Sequence, residues 1–291
     1  MPRGARWTDL VDPDETAVLE HAPAALHERA LGQLTAPPRA DGARPTIEDH
    51  DGYLFAVIVL PVAVPAEDRV FFQEVDIVAT HRQALTVRKT PQGDRPYEPP
   101  EPAPETAEDV LFRVVDDAAE AFLDLVDDLD AEIDELEENV EEWPHERVRS
   151  RIAELRRDVL TIRRTLAPTR DAVRRVADGR VGFDLDARIR FGEVHDKLLR
   201  ASEGLEYSRE LIASVRDYQQ ARVASEQNET SKKLAVIAAL LLVPTFIVGV
   251  YGQNFDHMPE LGWRLGYVFS WGVIVVSVIG LLAAFRWRRW I

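Results

Sequence analysis

Leu234–Phe255, LAVIAALLLVPTFIVGVYGQNF, runs for 22 residues without a charged side chain, and Leu265–Phe285, LGYVFSWGVIVVSVIGLLAAF, runs for another 21. A helix needs about 20 apolar residues to cross the hydrocarbon core of a bilayer, and each stretch meets that length. The two are therefore expected to form a membrane hairpin, with a first span at 234–251, a loop at 252–264 and a second span at 265–285. Lys232 and Lys233 flank the first span and Arg286, Arg288 and Arg289 follow the second, whereas the connecting loop carries Asp256, Glu260 and a single Arg264. The positive-inside rule then puts both termini in the cytoplasm, with residues 286–291 as a basic cytoplasmic tail. Met1 to Val11 has no apolar run, so no signal peptide is expected and the bulk of the chain stays on the side where it is made.

Composition narrows the rest. With 51 acidic against 35 basic side chains the 291-residue chain carries a formal charge of −16, and it has no cysteine. Disulfide frameworks and Cys-ligated metal centres are excluded. A nucleic-acid partner is excluded too, because neutralising phosphates needs a large basic face. Acidic surfaces attract cations instead. No Gly-rich phosphate cradle, nucleophile–base pattern or Walker lysine is present, so neither an enzyme, a catalytic cofactor nor an ATP-driven pump is expected.

Residues 1–104 read as a cytoplasmic α/β domain ending in a linker. Tyr53–Pro61, Val75–Thr80 and Ala84–Arg88 are strand-like, Thr16–Leu34 is helical in pattern, and the Pro- and Glu-rich stretch Pro91–Pro104 cannot hold a helix. Residues 105–183 read as two antiparallel coiled-coil helices. Apolar residues at Phe112, Val115, Ala119, Phe122, Val126, Leu129, Ile133, Leu136 and Val140 step by three and four, Trp143-Pro144 interrupts, and a second seam follows at Val148, Ile152, Leu155, Val159, Ile162, Leu166, Val173 and Val176. Tyr97–Glu142 holds 19 acids against Arg113 alone, and Glu146–Arg180 holds 11 arginines against five acids, which predicts charge matching between these two helices. A third helical pattern begins near Asp184 and meets no proline until Pro244, inside the first span. Residues 184–251 are thus expected to be one stalk helix running into the membrane, roughly 100 Å long at 1.5 Å per residue.

One hairpin cannot enclose an aqueous path, so transport would require several copies around an axis. On the first span, Asn228, Ser231, Ala235, Ala238, Leu242, Thr245 and Gly249 fall on one face, small or polar almost throughout, which extends backward through Ala224 and Ala221 to Asp217. Val236, Leu240, Val243, Ile247 and Val250 form the bulky opposite face. The small face fits pore lining and close helix packing equally well.

The loop favours the pore. Tyr251-Gly252-Gln253-Asn254-Phe255, followed by Met258-Pro259-Glu260-Leu261, resembles the signature of the CorA family of divalent-cation channels, Tyr-Gly-Met-Asn-Phe followed by Met-Pro-Glu-Leu. The two C-terminal spans, the basic tail, the long helix feeding the first span, Pro45-Thr46-Ile47-Glu48 ahead of Tyr53-Leu54-Phe55, Val75-Asp76-Ile77 and Leu85-Thr86-Val87-Arg88 agree with that resemblance. It implies a homopentameric funnel in the cytoplasmic membrane that admits Mg²⁺, with Co²⁺ and Ni²⁺ as further cargo. Five copies of Asn254 would meet the hydrated ion at the outer mouth, with Tyr251 bracing the loop and Gly252 permitting its turn. Asn228 and Asp217 would be inner stations, and Leu242 the apolar constriction. The resemblance also implies feedback by cytoplasmic Mg²⁺ bound at acidic residues, for which Asp186, Glu193, Asp196, Glu203 and Asp217 are the candidates. Gln253 departs from the family's Met and leaves two alternatives: a zinc transporter of the same superfamily, which His257 near the mouth would suit, or a non-conducting membrane-anchored scaffold or cation sensor.

Overall fold

The computed structural model of the chain describes residues 6–38, 43–50, 52–64, 69–80, 82–90, 106–183, 185–253 and 258–290. Two compact units result, Met1–Arg216 and Asp217–Ile291. The Pro91–Pro104 linker and Asp184 lie outside the described residues.

In the first unit, β1 (Arg6–Val11), β2 (Thr46–His50), β3 (Tyr53–Val64), β4 (Arg69–Ala79) and β5 (Gln83–Arg88) form one sheet in the order β1-β5-β4-β3-β2. β1 runs parallel to β5 and the other neighbours are antiparallel. β3, with the run YLFAVIVLPVAV, is almost uninterrupted in apolar character because both of its faces are covered. Its Phe55 and Val57, with Val78, Leu85 and Val87, pack against Val18, Ala30 and Leu34 of α1 (Glu15–His21) and α2 (Glu28–Thr35). On the other face Ala56, Ile58, Val75 and Ile77 join a larger core built from α3 (Ala107–Asn139) and α4 (His145–Ala177).

The single helix expected over Thr16–Leu34 is two helices. Pro23 follows directly on the Ala22 C-cap, where a third turn would need its missing N–H, and His27 recaps the chain by accepting from the Arg29 N–H through Nδ1 at 3.2 Å. β1 and β2 are additions to the sequence reading. β1 is fastened at the sheet edge by Asp9, which accepts 2.7 Å from the Arg88 guanidinium and 2.6 Å from the Thr86 hydroxyl.

Both predicted seams are buried. Val115, Ala119, Phe122, Val126, Leu129, Ile133, Leu136 and Val140 of the first, and Val148, Ile152, Leu155, Val159, Ile162, Leu166, Val173 and Val176 of the second, share one core. A third helix, α5 (Leu185–Tyr251), contributes Phe191, Val194, Leu198, Ala201, Leu205, Ile212 and Val215 to the same core. This third partner changes the expected charge match. The α3 acids pair forward onto α5: Asp109 with Arg190 at 2.8 Å, and Asp116 and Glu120 with Lys197 at 2.6 and 2.9 Å. Asp130 accepts from Ser208 at 2.6 Å. Those contacts rise together in number, so α3 and α5 run parallel, and the antiparallel α4 meets α3 through Arg151–Glu132 at 2.9 Å. Burial works against charge on both Asp109 and Lys197, but hydrogen bonds outweigh it: Thr106 and Arg190 hold the Asp109 carboxyl below its usual range, and Asp116 and Glu120 raise the Lys197 ammonium above its own.

A charged cluster lies between α2 and the sheet. Lys89, 2% exposed, donates 2.7 Å to the Gln33 carbonyl in the last turn of α2, lies 3.0 Å from Asp76 and bonds Glu74, whose Oε1 also accepts from Gln33 Nε2 at 2.8 Å. A cation at a helix C-terminus complements the helix dipole. Two carboxylates facing one ammonium leave an excess negative charge in a dry site. Burial accordingly pushes the Asp76 carboxyl up to about 7, with Lys89 opposing the rise and Glu74 adding to it.

Candidate functional site

Among the described residues two helices are long and apolar enough to cross a membrane, α5 through its C-terminal part and α6 (Gly266–Trp287). The expected tail is thus helical as far as Trp287. α5 remains one helix through Pro244 to Tyr251. Pro cannot donate a hydrogen bond, yet in membrane helices neighbouring groups tolerate that loss. One residue on, Thr245 folds its hydroxyl back to the Leu241 carbonyl at 2.7 Å, which spares an apolar span an unpaired polar atom.

The span has two unlike sides. Val236 is 6% exposed, and Leu240, Val243, Ile247 and Val250 are half-buried. Asn228, Ser231, Ala235, Ala238, Leu242, Thr245 and Gly249 are all exposed, Leu242 to 68%. The small and polar face is thus exposed throughout, and so are the bulky Leu234, Ile237, Leu241, Phe246 and Val248 outside the less exposed row. Asp217 lies at the start of that unit and is exposed.

The helix closes with backbone bonds from the motif residues. Gly252 N–H donates to the carbonyls of Val248 at 3.0 Å and Gly249 at 3.2 Å, and Gln253 N–H donates to Val250 at 3.3 Å. Tyr251 is half-buried, and Gly252 and Gln253 are exposed. Asn254 and His257 lie outside the described residues. Beyond them Pro259–Gly262 forms a 3₁₀ turn containing the half-buried Glu260. That turn is seated on Gly266, a residue the sequence reading passed over. A Cβ there would stand 2.3 Å from the Glu260 carbonyl oxygen, so only glycine fits. Trp263 packs edge-on against Phe269 with ring centroids 5.4 Å apart and fixes the same corner.

The candidate regulatory acids Asp186, Glu193, Asp196 and Glu203 are exposed along α5. Among the described residues no group of three or more His, Asp or Glu side chains is arranged to hold a metal ion. One chain by itself does not gather them into a site.

Residues 3–289 match the family model described as CorA-like Mg²⁺ transporter protein. The chain is 28% identical over 289 residues to YfjQ of Bacillus subtilis, covering 98% of this chain and 89% of that one. It is 29% identical over 186 residues to the cobalt/magnesium transport protein CorA of Thermotoga maritima, covering 64% of this chain and about half, 53%, of that relative. The CorA magnesium transporter structure from Methanocaldococcus jannaschii superposes with a TM-score of 0.80 at 17% identity, covering 98% of this chain and 91% of that one. That likeness confirms the fold: an α/β domain, a long helix and a C-terminal apolar helix.

Proposed function

The chain belongs to the family of CorA-like Mg²⁺ transporter proteins, which move metal ions and are not enzymes, and on that premise we propose that five copies form a channel admitting Mg²⁺, and with it Co²⁺, through the cytoplasmic membrane. The observation that carries this reading is the sidedness of the α5 span. Asn228, Ser231, Ala235, Ala238, Thr245 and Gly249 fall on one face and are all exposed, a small and polar surface that a surrounding ring of helices would turn toward water, while the exposed Leu234, Ile237, Leu241, Phe246 and Val248 beside it suit lipid or a neighbouring helix. A hairpin alone encloses nothing, so the path requires further copies.

Mg²⁺ gives up its waters reluctantly and is best recognised through them. In this proposal the amide oxygens of five Asn254 side chains accept hydrogen bonds from those waters. The converging C-termini of five α5 helices add negative dipole ends, and Gln253, exposed at the end of the helix, sets a second amide ring beside the first. Leu242 forms the constriction that closes by dewetting, with Asn228 and Asp217 as stations within. The functional parts are 1–104 with its linker, 105–183, the stalk and first span at 184–251, the loop at 252–264, the second span at 265–285 and the tail. Lys232, Lys233, Arg286, Arg288 and Arg289 against the single loop Arg264 keep both termini in the cytoplasm. Cytoplasmic Mg²⁺ closes the assembly by binding between subunits at Asp186, Glu193, Asp196 or Glu203, which favours the closed population by mass action.

Flux into proteoliposomes loaded with a Mg²⁺-sensitive dye tests the reading, with Zn²⁺ as competitor. Mg²⁺ entry in the parent, lost in Asn254→Ala and kept in Gln253→Met, is expected. Entry of Zn²⁺ but not Mg²⁺, reversed by Gln253→Met, would reassign the pore to zinc. No entry of any divalent ion would leave a membrane-anchored scaffold.

A further inference from the structure

A cleft lies between α2 and the edge strand β2. The core under α1 and α2 draws on β3, β4 and β5 and takes nothing from β2, so an uncovered trough of about 560 Å³ remains beside that edge. That volume lies within the range of small-molecule sites. Its floor is apolar: Ala30, Phe55 and Val57 are all buried.

Its rim carries two arginines against one carboxylate, Glu48, and so leans cationic against the trend of a chain with formal charge −16. Arg29 projects from α2 and Arg44 from the approach to β2, and neither guanidinium has a carboxylate partner among the described residues. His27 and His50 stand at one end, built into a fixed arrangement. Tyr53 accepts the His27 backbone N–H at 3.1 Å and stacks on the His50 ring at a centroid distance of 5.0 Å, while His50 Nε2 lies 3.5 Å from Glu48. Uncommitted guanidinium forks beside an apolar trough match a ligand with a multivalent oxyanion at one end and a flat or apolar body at the other.

We propose that this cleft binds a small phosphorylated organic anion of nucleotide size, with Arg29 and Arg44 on the phosphates and the body lying over Phe55 and Val57. The α/β unit thereby carries a ligand site of its own, separate in chemistry from the cation path.

Equilibrium dialysis of labelled ADP against the full chain in detergent micelles tests this, with a chelator present so that no divalent cargo ion bridges nucleotide and protein. Two variants separate site from fold. Arg29→Ala combined with Arg44→Ala removes the charge. Gly32→Trp fills the trough from α2, at a position where an added Cβ meets nothing within 4 Å. The expected result is saturable binding by the parent below about 1 mM, weakened roughly tenfold or more in both variants, with orthophosphate a much poorer competitor and unliganded melting unchanged. Absence of binding at about 1 mM, unchanged binding in either variant, or orthophosphate competing as well as ADP would each overturn the proposal.

Discussion

Replacing Asp76 by Asn removes the excess charge beneath α2 while leaving Lys89 paired with Glu74. In the folded chain the Asp76 carboxyl is raised from 3.8 to about 7, mainly by burial. The folded state therefore holds a proton that the unfolded chain gives up between those values, and stability contributed by this group is full below about pH 4, falls as pH rises to about 7, and is flat above. About three pH units at ~1.4 kcal/mol each set an upper limit of about 4 kcal/mol. Asn resembles the protonated acid and does not titrate, so Asp76→Asn should match the parent near pH 4 and exceed it by up to that amount near pH 8. For a unit of this size that is roughly 8–16 °C in melting temperature. Thermal unfolding of the full chain in micelles, followed by circular dichroism at about pH 5 and about pH 8, measures the difference. A gap between variant and parent that stays constant or shrinks with rising pH would falsify the assignment of a buried, proton-holding carboxyl to this cluster.

Three further outcomes follow from the packing. Phe122, 0% exposed at the centre of the helical core, should lose about 3–5 kcal/mol on truncation to Ala, measurable as a fall in denaturant midpoint without a change of slope. Lys197→Met leaves Asp116 and Glu120 facing each other without their cation and should cost about 1 kcal/mol at neutral pH, a modest figure because the trio is partly solvated. Since the Lys197 pKa is raised above 10.5, the parent's advantage over the variant should persist through neutral pH and fade only at alkaline pH; an advantage already gone at neutral pH would show that the ion pairs contribute nothing. Gly266→Ala forces a Cβ against the Glu260 carbonyl, so amide exchange through Pro259–Gly262 should accelerate while that of α3 and α4 stays at the parent rate.

The helical seams were legible because one periodicity holds without a fault from Phe112 to Val140 and from Val148 to Leu166, resuming at Val173 and Val176 past Thr169, and burial follows it closely. The edge strands β1 and β2 were not legible. RWTDLV and TIEDH are short and half polar, and only their neighbours β5 and β3 make them strands. The charge match expected between α3 and α4 is seen at Glu132–Arg151, but charge counts along the chain could not show that the bundle also brings Arg190 and Lys197 of α5 onto the α3 acids. Asp76 sits in an alternating strand pattern that suggests solvent, and it faces a covered side because α2 lies over it. On the span, periodicity separated a small face from a bulky one, but exposure does not follow that division alone, since Leu234, Ile237, Leu241, Phe246 and Val248 are exposed as well. Gly266 carried a signal in being the glycine that opens a helix just after a Pro-containing turn, yet only the position of the Glu260 carbonyl makes it obligatory.

Strand β1 is made before its hydrogen-bonding partner β5, which lies 77 residues further along. At synthesis rates of 5–20 residues per second, it waits roughly 4–15 s before Arg88 and Thr86 exist to receive Asp9. Until then β1 has no neighbour in the sheet, whereas β2, β3 and β4 are neighbours in both sequence and sheet order. Both apolar spans are encoded later still, so translation order lets the sheet be complete before the first membrane helix emerges. Short, polar and charged, β1 is suited to that delay: an exposed RWTDLV segment is a poor template for aggregation, whereas the YLFAVIVLPVAV of β3 in its place would be a hazardous one.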